Sequence, residues 1–280
     1  MTIRHSVHYL ASHSGFRESP IVMLWRLWKW RVRSLIGRSG TARLSAWDVK
    51  LHLPAMWRGV AKTIYVFREH YEPELLLMNA MIRPGELVVD VGACFGIYTV
   101  VASRLVGDSG KVVAIEPSRQ AFEVLERNIL SNGCTNVVTF GCALSDRVGR
   151  AVLHHHQDIS RFSLGGTGAG EDVMTTTLDR TLPPTAPIRS CLLKIDVEGA
   201  EELVLRGALK TLDRDRPVVM LEVNPEAARA LGLDPLGALS LLEGRGYGFY
   251  LANAAGGLEK MGTSPTGGNV LAIHPSNPIP

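Results

Sequence analysis

The feature that most constrains the fold is an alternation of short apolar runs with longer helical stretches, which begins at Pro84. The short runs are rich in β-branched residues, a pattern typical of βαβ units around a buried, largely parallel sheet. Seven strands are predicted, at residues 87–91, 111–116, 137–142, 191–196, 217–223, 247–252 and 269–273. The sequence therefore predicts an α/β fold with a Rossmann-like sheet and helices on both of its faces.

Crossover helices are predicted at residues 97–105, 119–131 and 201–212, and an additional hairpin at residues 150–156 and 173–178. A chain of 280 residues has room for one such domain and an extension. We place the domain at residues 65–280 and a helical extension at residues 1–64.

The extension is basic. Residues 1–70 contain twelve Lys and Arg against three Asp and Glu, a formal charge of 12 − 3 = +9, which leaves 3 − 9 = −6 for the rest. Its apolar segment, residues 21–30, is interrupted by Arg26 and Lys29, well short of the roughly 20 residues that a membrane span needs. Residues 21–38 are expected either to contact a membrane surface or an acidic partner, or to cover the domain with their tryptophans.

The cysteines indicate a reducing compartment. Cys94, Cys134, Cys142 and Cys191 are scattered without a C-x-x-C pair, so neither a disulfide framework nor a zinc site is predicted. The first twenty residues lack the apolar core of a secretory signal. We expect a cytoplasmic protein, with peripheral contact at the inner membrane face left open, as is the oligomeric state.

A glycine turn, GACFG at residues 92–96, directly follows the first predicted strand, at the edge where open α/β sheets bind ligands. The G-x-G-x-x-G triplet of dinucleotide-binding proteins is absent. Asp90 precedes the turn, where a carboxylate would repel a pyrophosphate but attract an ammonium group. Glu116 ends the second strand about 20 residues later, the distance at which an acid reaches ribose hydroxyls. These residues favour a zwitterionic amino-acid ligand.

Acidic residues also end two later strands. Asp196 closes the fourth and Glu222 the fifth, so both are expected in one crevice, where either could act as a general base. Lys194 shares a strand face with Asp196 and is expected to pair with it. Alternatively, Asp196, Glu222 and Asn224 could bind Mg²⁺, because hard cations prefer oxygen ligands.

Histidines supply one further candidate base. His70 lies close to a Tyr71-Glu72 pair ahead of the first strand and is a candidate by position. The run His154, His155 and His156 falls in a predicted strand, whose successive side chains face opposite sides. We therefore interpret this run as part of an exposed hairpin rather than as a metal site.

The glycine turn with Asp90, together with LKIDVEGAE at residues 193–201, resembles the FkbM family of S-adenosylmethionine-dependent methyltransferases. Further matching landmarks are Tyr71-Glu72-Pro73-Glu74, Glu116-Pro117, Asn128, Thr177-Leu178-Asp179 and Leu221-Glu222-Val223, so the resemblance covers about residues 65–225. It implies a class I methyltransferase fold with a seven-stranded sheet. It also implies S-adenosylmethionine as the cofactor and methylation of a hydroxyl on a small molecule, sugar or glycolipid.

The resemblance also assigns cofactor contacts. It implies that Asp90, Gly92, Ala93 and Gly96 contact the methionine part, Glu116 the ribose, and Ala143 and Leu144 the adenine, with Tyr71 and Glu72 closing over the cofactor. Family members usually have Asn where this chain has Cys94, which puts a side-chain role at that position in question.

Two alternative functions stay open on the same fold. One is methylation of nitrogen or of RNA, although the chain lacks an N-P-P-Y motif and an aromatic-basic RNA module, so nucleic acid is not the expected partner. The other is a non-catalytic binding module docked on a membrane through the basic extension.

Overall fold

The computed structural model describes residues 19–57, 59–155, 162–163, 170–182, 190–253, 257–262, 265 and 267–277. The run His154 to His156 is only partly covered: the side chain of His155 and all of His156 lie outside the described residues.

The first half of the chain forms α1 (Pro20–Leu35), β1 (Gly40–Leu44), β2 (Val49–Leu53), α2 (Val60–Phe67), α3 (Pro73–Met81), β3 (Leu87–Val91), α4 (Ile97–Val106), β4 (Lys111–Ile115), α5 (Arg119–Ser131) and β5 (Val137–Phe140). The second half forms β6 (Ala143–Leu144), β7 (Gly149–His155), β8 (Phe162–Ser163), β9 (Gly170–Thr176), α6 (Leu178–Thr181), β10 (Ser190–Ile195), α7 (Glu201–Arg206), α8 (Leu209–Asp215), β11 (Val218–Val223), α9 (Pro225–Ala230), α10 (Gly237–Glu243), β12 (Gly248–Ala252), β13 (Leu258–Lys260) and β14 (Gly268–Ile273).

The central sheet has the strand order β13-β12-β14-β11-β10-β3-β4-β5. The five strands from β11 to β5 run parallel, whereas β14 is antiparallel to β11. Apolar side chains on the two faces of the sheet belong to two separate buried clusters, each covered by helices. The predicted α/β fold is confirmed, and all seven predicted strands are present within two residues of their predicted ends.

Three details differ from the prediction. An eighth strand, β13, pairs with the edge strand β12. The predicted hairpin forms β7 and β9, which belong to a second, four-stranded sheet. The predicted helix at residues 201–212 is divided into α7 and α8 at Gly207, which packs so closely that a Cβ there would lie 2.1 Å from the carbonyl oxygen of Ser145.

The N-terminal hairpin β1–β2 packs on the α/β domain through the free edge of β2. The Asn128 side chain accepts from the His52 N–H (2.7 Å), and the Asn132 side chain accepts from the Lys50 N–H (2.8 Å). Asn128 lies on α5 and Asn132 caps its end; four residues apart, they lie on one side of the helix and bind the edge of β2 as a neighbouring strand would. Leu51 and Trp57 are buried in the same apolar cluster as residues of α4. One hydrophobic cluster thus includes residues on both sides of residue 64.

Helix α1 begins at Pro20, whose fixed φ suits a first helical turn, and ends at Leu35. Trp30 is buried and its ring lies 5.1 Å from the ring of Tyr65 in α2. Trp25 and Trp28 are instead exposed and stack on each other at 4.8 Å. Of the three tryptophans of α1, Trp30 therefore packs on the domain, whereas Trp25 and Trp28 do not. Among the described helices, none has the length and apolar content needed to cross a bilayer.

Candidate active site

A cleft lies at the carboxyl ends of β3, β4 and β10, where ligands of open α/β sheets bind. Its empty volume is about 940 Å³, counting the space open to solvent. Most of the predicted cofactor residues line it, together with one predicted base: Tyr71, Gly92, Ala93, Glu116, Ala143, Leu144 and Asp196. These residues, predicted from separate parts of the sequence, therefore lie together around one cleft.

Other predicted site residues do not line this cleft. They are His70, Glu72, Asp90, Gly96 and Glu222. Gly96 faces α5, where a Cβ would lie 2.5 Å from a methyl carbon of Leu125. Its contribution is close packing of the turn on that helix.

Gly92 is the residue of the turn that only glycine can occupy. Its φ is +75°, and a Cβ would lie 1.8 Å from the backbone oxygen of Asp196. Its N–H donates to the carbonyl of Ile115 (2.9 Å), which ties the turn to β4. The Asp196 N–H in turn donates to the carbonyl of Val91 (3.0 Å). The absence of a side chain at Gly92 therefore brings two strand ends together.

Cys94 also has a positive φ, +49°. Asparagine tolerates this left-handed conformation better than most residues, which gives a backbone reason for the asparagine usual at this position in the family. Burial raises the pKa of the Cys94 thiol well above its usual value, with the nearby carboxylates of Glu116 and Asp196 adding to it. The thiol is therefore protonated.

Glu116 is held by the turn itself. Its carboxylate accepts from the Cys94 N–H (2.8 Å) and from the Ser118 N–H (2.9 Å). Burial raises its pKa to about 7, although both N–H donors favour the charged form. The carboxylate is thus fixed at the end of β4 beside the cleft, and its binding to ribose hydroxyls stays a prediction.

Lys194 lies at the centre of the charged groups. Its Nζ is 3.2 Å from Oδ2 of Asp196, which confirms the predicted pair, and 3.9 Å from Oδ1 of the buried Asp90. Burial opposes its charge, but Asp196, Asp90 and Glu72 outweigh that effect and raise its pKa. The other oxygen of Asp90 accepts from the Thr99 hydroxyl (2.6 Å). Asp90 therefore does not line the cleft itself but lies next to Lys194, which does.

Tyr98 completes this arrangement. Lys194 Nζ lies 4.8 Å from the centre of its ring, and its hydroxyl donates to Oε2 of Glu72 (2.5 Å). Burial raises the pKa of Glu72 to about 7. Burial, and next the charge of Glu72, raise the pKa of Tyr98 well above its usual value, so the phenol stays protonated and donates.

Glu222 and Asn224 line a second, much smaller pocket, together with Glu201 and Glu202. The Asn224 side chain accepts from the Ala227 N–H (3.1 Å) and caps α9. The expectation that Glu222 shares the crevice of Asp196 is not met, because Glu222 lines only the smaller of the two pockets. Within the described residues, no group of three or more His, Cys, Asp and Glu side chains could hold a metal ion.

The motif at residues 193–201 has a structural basis. Glu201 accepts from the N–H groups of Val197 (3.2 Å) and Gly199 (3.1 Å), and so fixes the loop that follows β10. Gly199 has φ +103°, and a Cβ there would lie 2.6 Å from the backbone of Ala227. Glu198 lines the cleft. The two glutamates therefore differ in role, with Glu201 holding the loop that presents Glu198 and Asp196.

Sequence reasoning missed Tyr98, Ile64 and Val60 as residues of the cleft wall, and did not assign Lys194 to the site. A signal for Lys194 was present, because a lysine inside the apolar run CLLKI is costly to bury without partners. No local signal marks Val60 and Ile64, which come from α2, before the first strand of the central sheet.

Comparison with known families decides the assignment. The family model described as the methyltransferase FkbM domain matches residues 90–249, more than half of the chain. The chain belongs to this family. The predicted class I methyltransferase fold is confirmed: the chain belongs to a methyltransferase family and has a large, mostly parallel central sheet.

Relatives cover only part of the chain. It is 29% identical over 103 residues to a protein named "Probable cobalt-precorrin-6B C(15)-methyltransferase (decarboxylating)" from Sulfurisphaera tokodaii, covering 37% of this chain and 52% of the relative. A protein of the same name from Saccharolobus solfataricus is 39% identical over 62 residues, 22% of this chain and 31% of the relative. The chain thus spans about half the length of the first curated relative and about a third of the second.

A solved structure, that of a methyltransferase FkbM from Methylobacillus flagellatus KT, is also similar. The sequence identity is 18%, and the alignment covers 77% of this chain and 54% of that chain with a TM-score of 0.46.

Proposed function

We propose that this protein is an S-adenosylmethionine-dependent methyltransferase that acts on a hydroxyl oxygen of a small molecule, sugar or glycolipid. The observation that carries the proposal is the placement of Asp196. Its side chain is 40% exposed, lines the cleft beside the glycine turn, and pairs with the buried Lys194. An accessible carboxylate is thus held next to the position expected for the cofactor.

The charge of the cleft suits a sulfonium nucleoside. Among the described residues, the charged ones that line it are Glu116, Asp196, Glu198 and Lys194, which give 1 − 3 = −2 when all are ionised. Such a surface attracts the sulfonium and ammonium groups of S-adenosylmethionine and repels the pyrophosphate of a dinucleotide. In this assignment the turn holds the methionine part, Glu116 the ribose hydroxyls, and Ala143 and Leu144 the adenine.

S-adenosylmethionine supplies a methyl group that its sulfonium already activates. The chain's own task is then to orient the acceptor and remove its proton, because an alcohol is a poor nucleophile until it is deprotonated. Asp196 is our candidate for that base. Lys194 positions it, and the bond from the Asp196 N–H to Val91 fixes its distance from the turn.

Calorimetric titration with S-adenosylhomocysteine tests the cofactor assignment. We expect saturable binding that Glu116→Gln weakens about tenfold, the loss of one or two charge-assisted hydrogen bonds. Glu123→Gln, on the exposed side of α5, is the matched control and should bind like the wild type. Tight binding of NAD with no binding of S-adenosylhomocysteine would refute the assignment.

Transfer of a labelled methyl group to a panel of sugars, glycolipids and hydroxylated small molecules tests the reaction. Asp196→Asn should lower turnover by about 10²–10⁴ while S-adenosylhomocysteine binding changes little. Asp108→Asn, an exposed aspartate, serves as the control. Unchanged turnover in Asp196→Asn would remove it from the mechanism. Glu222→Gln and His70→Ala belong in the same assay, since both stay predicted bases.

The same assay separates the alternatives. The curated relatives are named as carbon methyltransferases, so carbon acceptors belong in the panel, as do amines and RNA. Transfer to carbon, nitrogen or RNA but to no hydroxyl would contradict the oxygen acceptor and leave the cofactor assignment intact. Binding without any transfer would instead favour a non-catalytic module.

A further inference from the structure

Helix α1 has two apolar faces, of which the domain covers one. On the inner face, Met23 and Trp30 are buried, and Leu27 is partly buried. Met23 and Leu27 pack with Val66 and Phe67 of α2. This inner face anchors α1 to the domain and leaves the opposite side of the helix to solvent.

The outer stripe of α1 consists of Ile21, Trp25, Trp28, Val32 and Leu35. The spacing of four, three, four and three residues places all five on one side of the helix. Their exposed fractions are 81%, 51%, 55%, 38% and 78%, respectively. Isolated exposed apolar residues are ordinary, but a contiguous patch with two tryptophans marks an interaction surface.

Basic residues border the outer stripe on both sides. By helical position, Lys29 and Arg33 lie along one flank and Arg31 along the other. Lys29 also lies over the Trp25 ring, 4.8 Å from its centre. Helix α1 itself, residues 20–35, contains four Lys and Arg and no Asp or Glu. The helix therefore combines an apolar stripe with a net positive charge.

We propose that the outer stripe of α1 docks on an anionic phospholipid surface, with the helix lying in the plane of the interface. Interfacial helices have this design: tryptophan and aliphatic residues enter the headgroup boundary while flanking lysines and arginines contact lipid phosphates. The domain itself stays outside the bilayer, anchored to α1 by the inner face.

The charge pattern distinguishes this occupant from others. Pairing of two copies through the stripe would bring together flanks that are both basic and have no acids to match, which opposes association. Nucleic-acid bases can stack on tryptophan rings, but a nucleic-acid surface offers nothing that would bury the aliphatic Ile21, Val32 and Leu35. An anionic lipid surface matches both the stripe and its flanks.

Docking would also bring the cleft close to the lipid. Helix α1 packs on α2, and α2 supplies Val60 and Ile64 to the cleft wall. Two helices thus separate the proposed lipid surface from the site. An acceptor carried by a lipid would be within reach of such an arrangement, although the docking surface itself is independent of the proposed reaction.

Co-sedimentation of the full chain with vesicles tests the proposal. We expect binding to vesicles of phosphatidylcholine with phosphatidylglycerol, weaker binding to phosphatidylcholine alone, and a decline with added salt. The double variant Trp25→Ser/Trp28→Ser should lower the partition coefficient at least about tenfold. Both tryptophans are exposed and stack on each other, so the domain should keep its fold, which a thermal melt checks.

Matched variants complete the test. Leu130→Ser removes an apolar residue of α5 that is 83% exposed, more than either tryptophan, and should leave partition unchanged. Lys29→Glu/Arg33→Glu should abolish the preference for anionic vesicles. The proposal is overturned if anionic vesicles do not bind at low salt, or if the tryptophan variant binds as well as the wild type. It is also overturned if the wild type does not bind vesicles but self-associates or binds RNA, and Trp25→Ser/Trp28→Ser abolishes that association or binding.

Discussion

Lys194 and Asp90 occupy paired positions on the neighbouring parallel strands β10 and β3, and the lysine Nζ lies 3.9 Å from Oδ1 of the aspartate. Both side chains are buried, with exposed fractions of 8% and 1%. A central strand pair of a parallel sheet normally carries apolar residues on both strands. Here it carries an ion pair that connects the buried start of the turn to Asp196 in the cleft.

Removing the lysine should therefore destabilise the fold. Lys194→Met leaves the carboxyl groups of Asp90, Asp196 and Glu72 without their shared cation, and breaking one side of a buried pair costs about 3–5 kcal/mol. Urea denaturation measures the free energy of unfolding. Lys111→Met, on the exposed start of β4, is the control and should stay within about 0.5 kcal/mol. Equal effects of the two variants would show that the ion pair contributes nothing.

Gly92→Ala tests the close approach of the two strand ends. A left-handed φ alone costs an alanine roughly 1 kcal/mol, and this is the only penalty expected at Gly133, where φ is +63° and the surroundings are open. At Gly92 the Cβ also meets the backbone oxygen of Asp196, so we expect a loss of at least about 3 kcal/mol. S-adenosylhomocysteine binding should be lost in Gly92→Ala and kept in Gly133→Ala. Similar melting temperatures for both variants would contradict the packing argument.

Cofactor binding should depend on pH through Glu116. Burial raises its pKa to about 7, so the carboxyl is largely protonated below that value and ionised above it. Since ribose hydroxyls donate to the ionised form, affinity should be constant above about pH 8 and weaken by up to about tenfold per unit below pH 7. Calorimetry across pH 5.5–8.5, a window of about three units around that pKa, measures this.

Two variants isolate the responsible group. Glu116→Gln should bind weakly at every pH. Glu72→Gln should keep the profile, because Glu72 has a similarly raised pKa of about 7 but does not line the cleft. A flat profile in the wild type, or one that disappears in Glu72→Gln, would assign the titration elsewhere.

Asn128 should hold the N-terminal hairpin and the turn together. Its amide group donates to the Phe95 carbonyl (2.8 Å) and accepts from the His52 N–H (2.7 Å). Asn128→Leu leaves both backbone groups unpaired, at about 1–3 kcal/mol each, so we expect a loss of about 2–4 kcal/mol. Glu123→Leu, on the exposed side of the same helix, should change stability little. Hydrogen exchange at the His52 N–H should become faster in Asn128→Leu but not in Glu123→Leu. That result would place the lost stability at the contact between β2 and α5.

The local sequence pattern was enough to predict most of the strands and helices. Strand β3 and helix α5 have the predicted ends, since strongly apolar or amphipathic runs with clear breaks depend little on distant contacts. Strand β13, three residues long with two of them exposed, has no such pattern and forms because β12 offers it an edge. The predicted helix after β10 is interrupted at Gly207, which packs against the backbone of the distant Ser145.

By itself, the sequence determined the fold class, the family, the turn at residues 92–96 and the position of Glu116, because spacing along adjacent strands translates directly into proximity at one sheet edge. Only the tertiary structure decided which acids share the cleft, and it separated Glu222 from Asp196. It also decided that Lys194 joins Asp90 to Asp196, that β2 rests on Asn128, and that Trp30 but not Trp25 is buried. Each of these depends on side-chain direction and on contacts between distant segments, which periodicity along the chain does not encode.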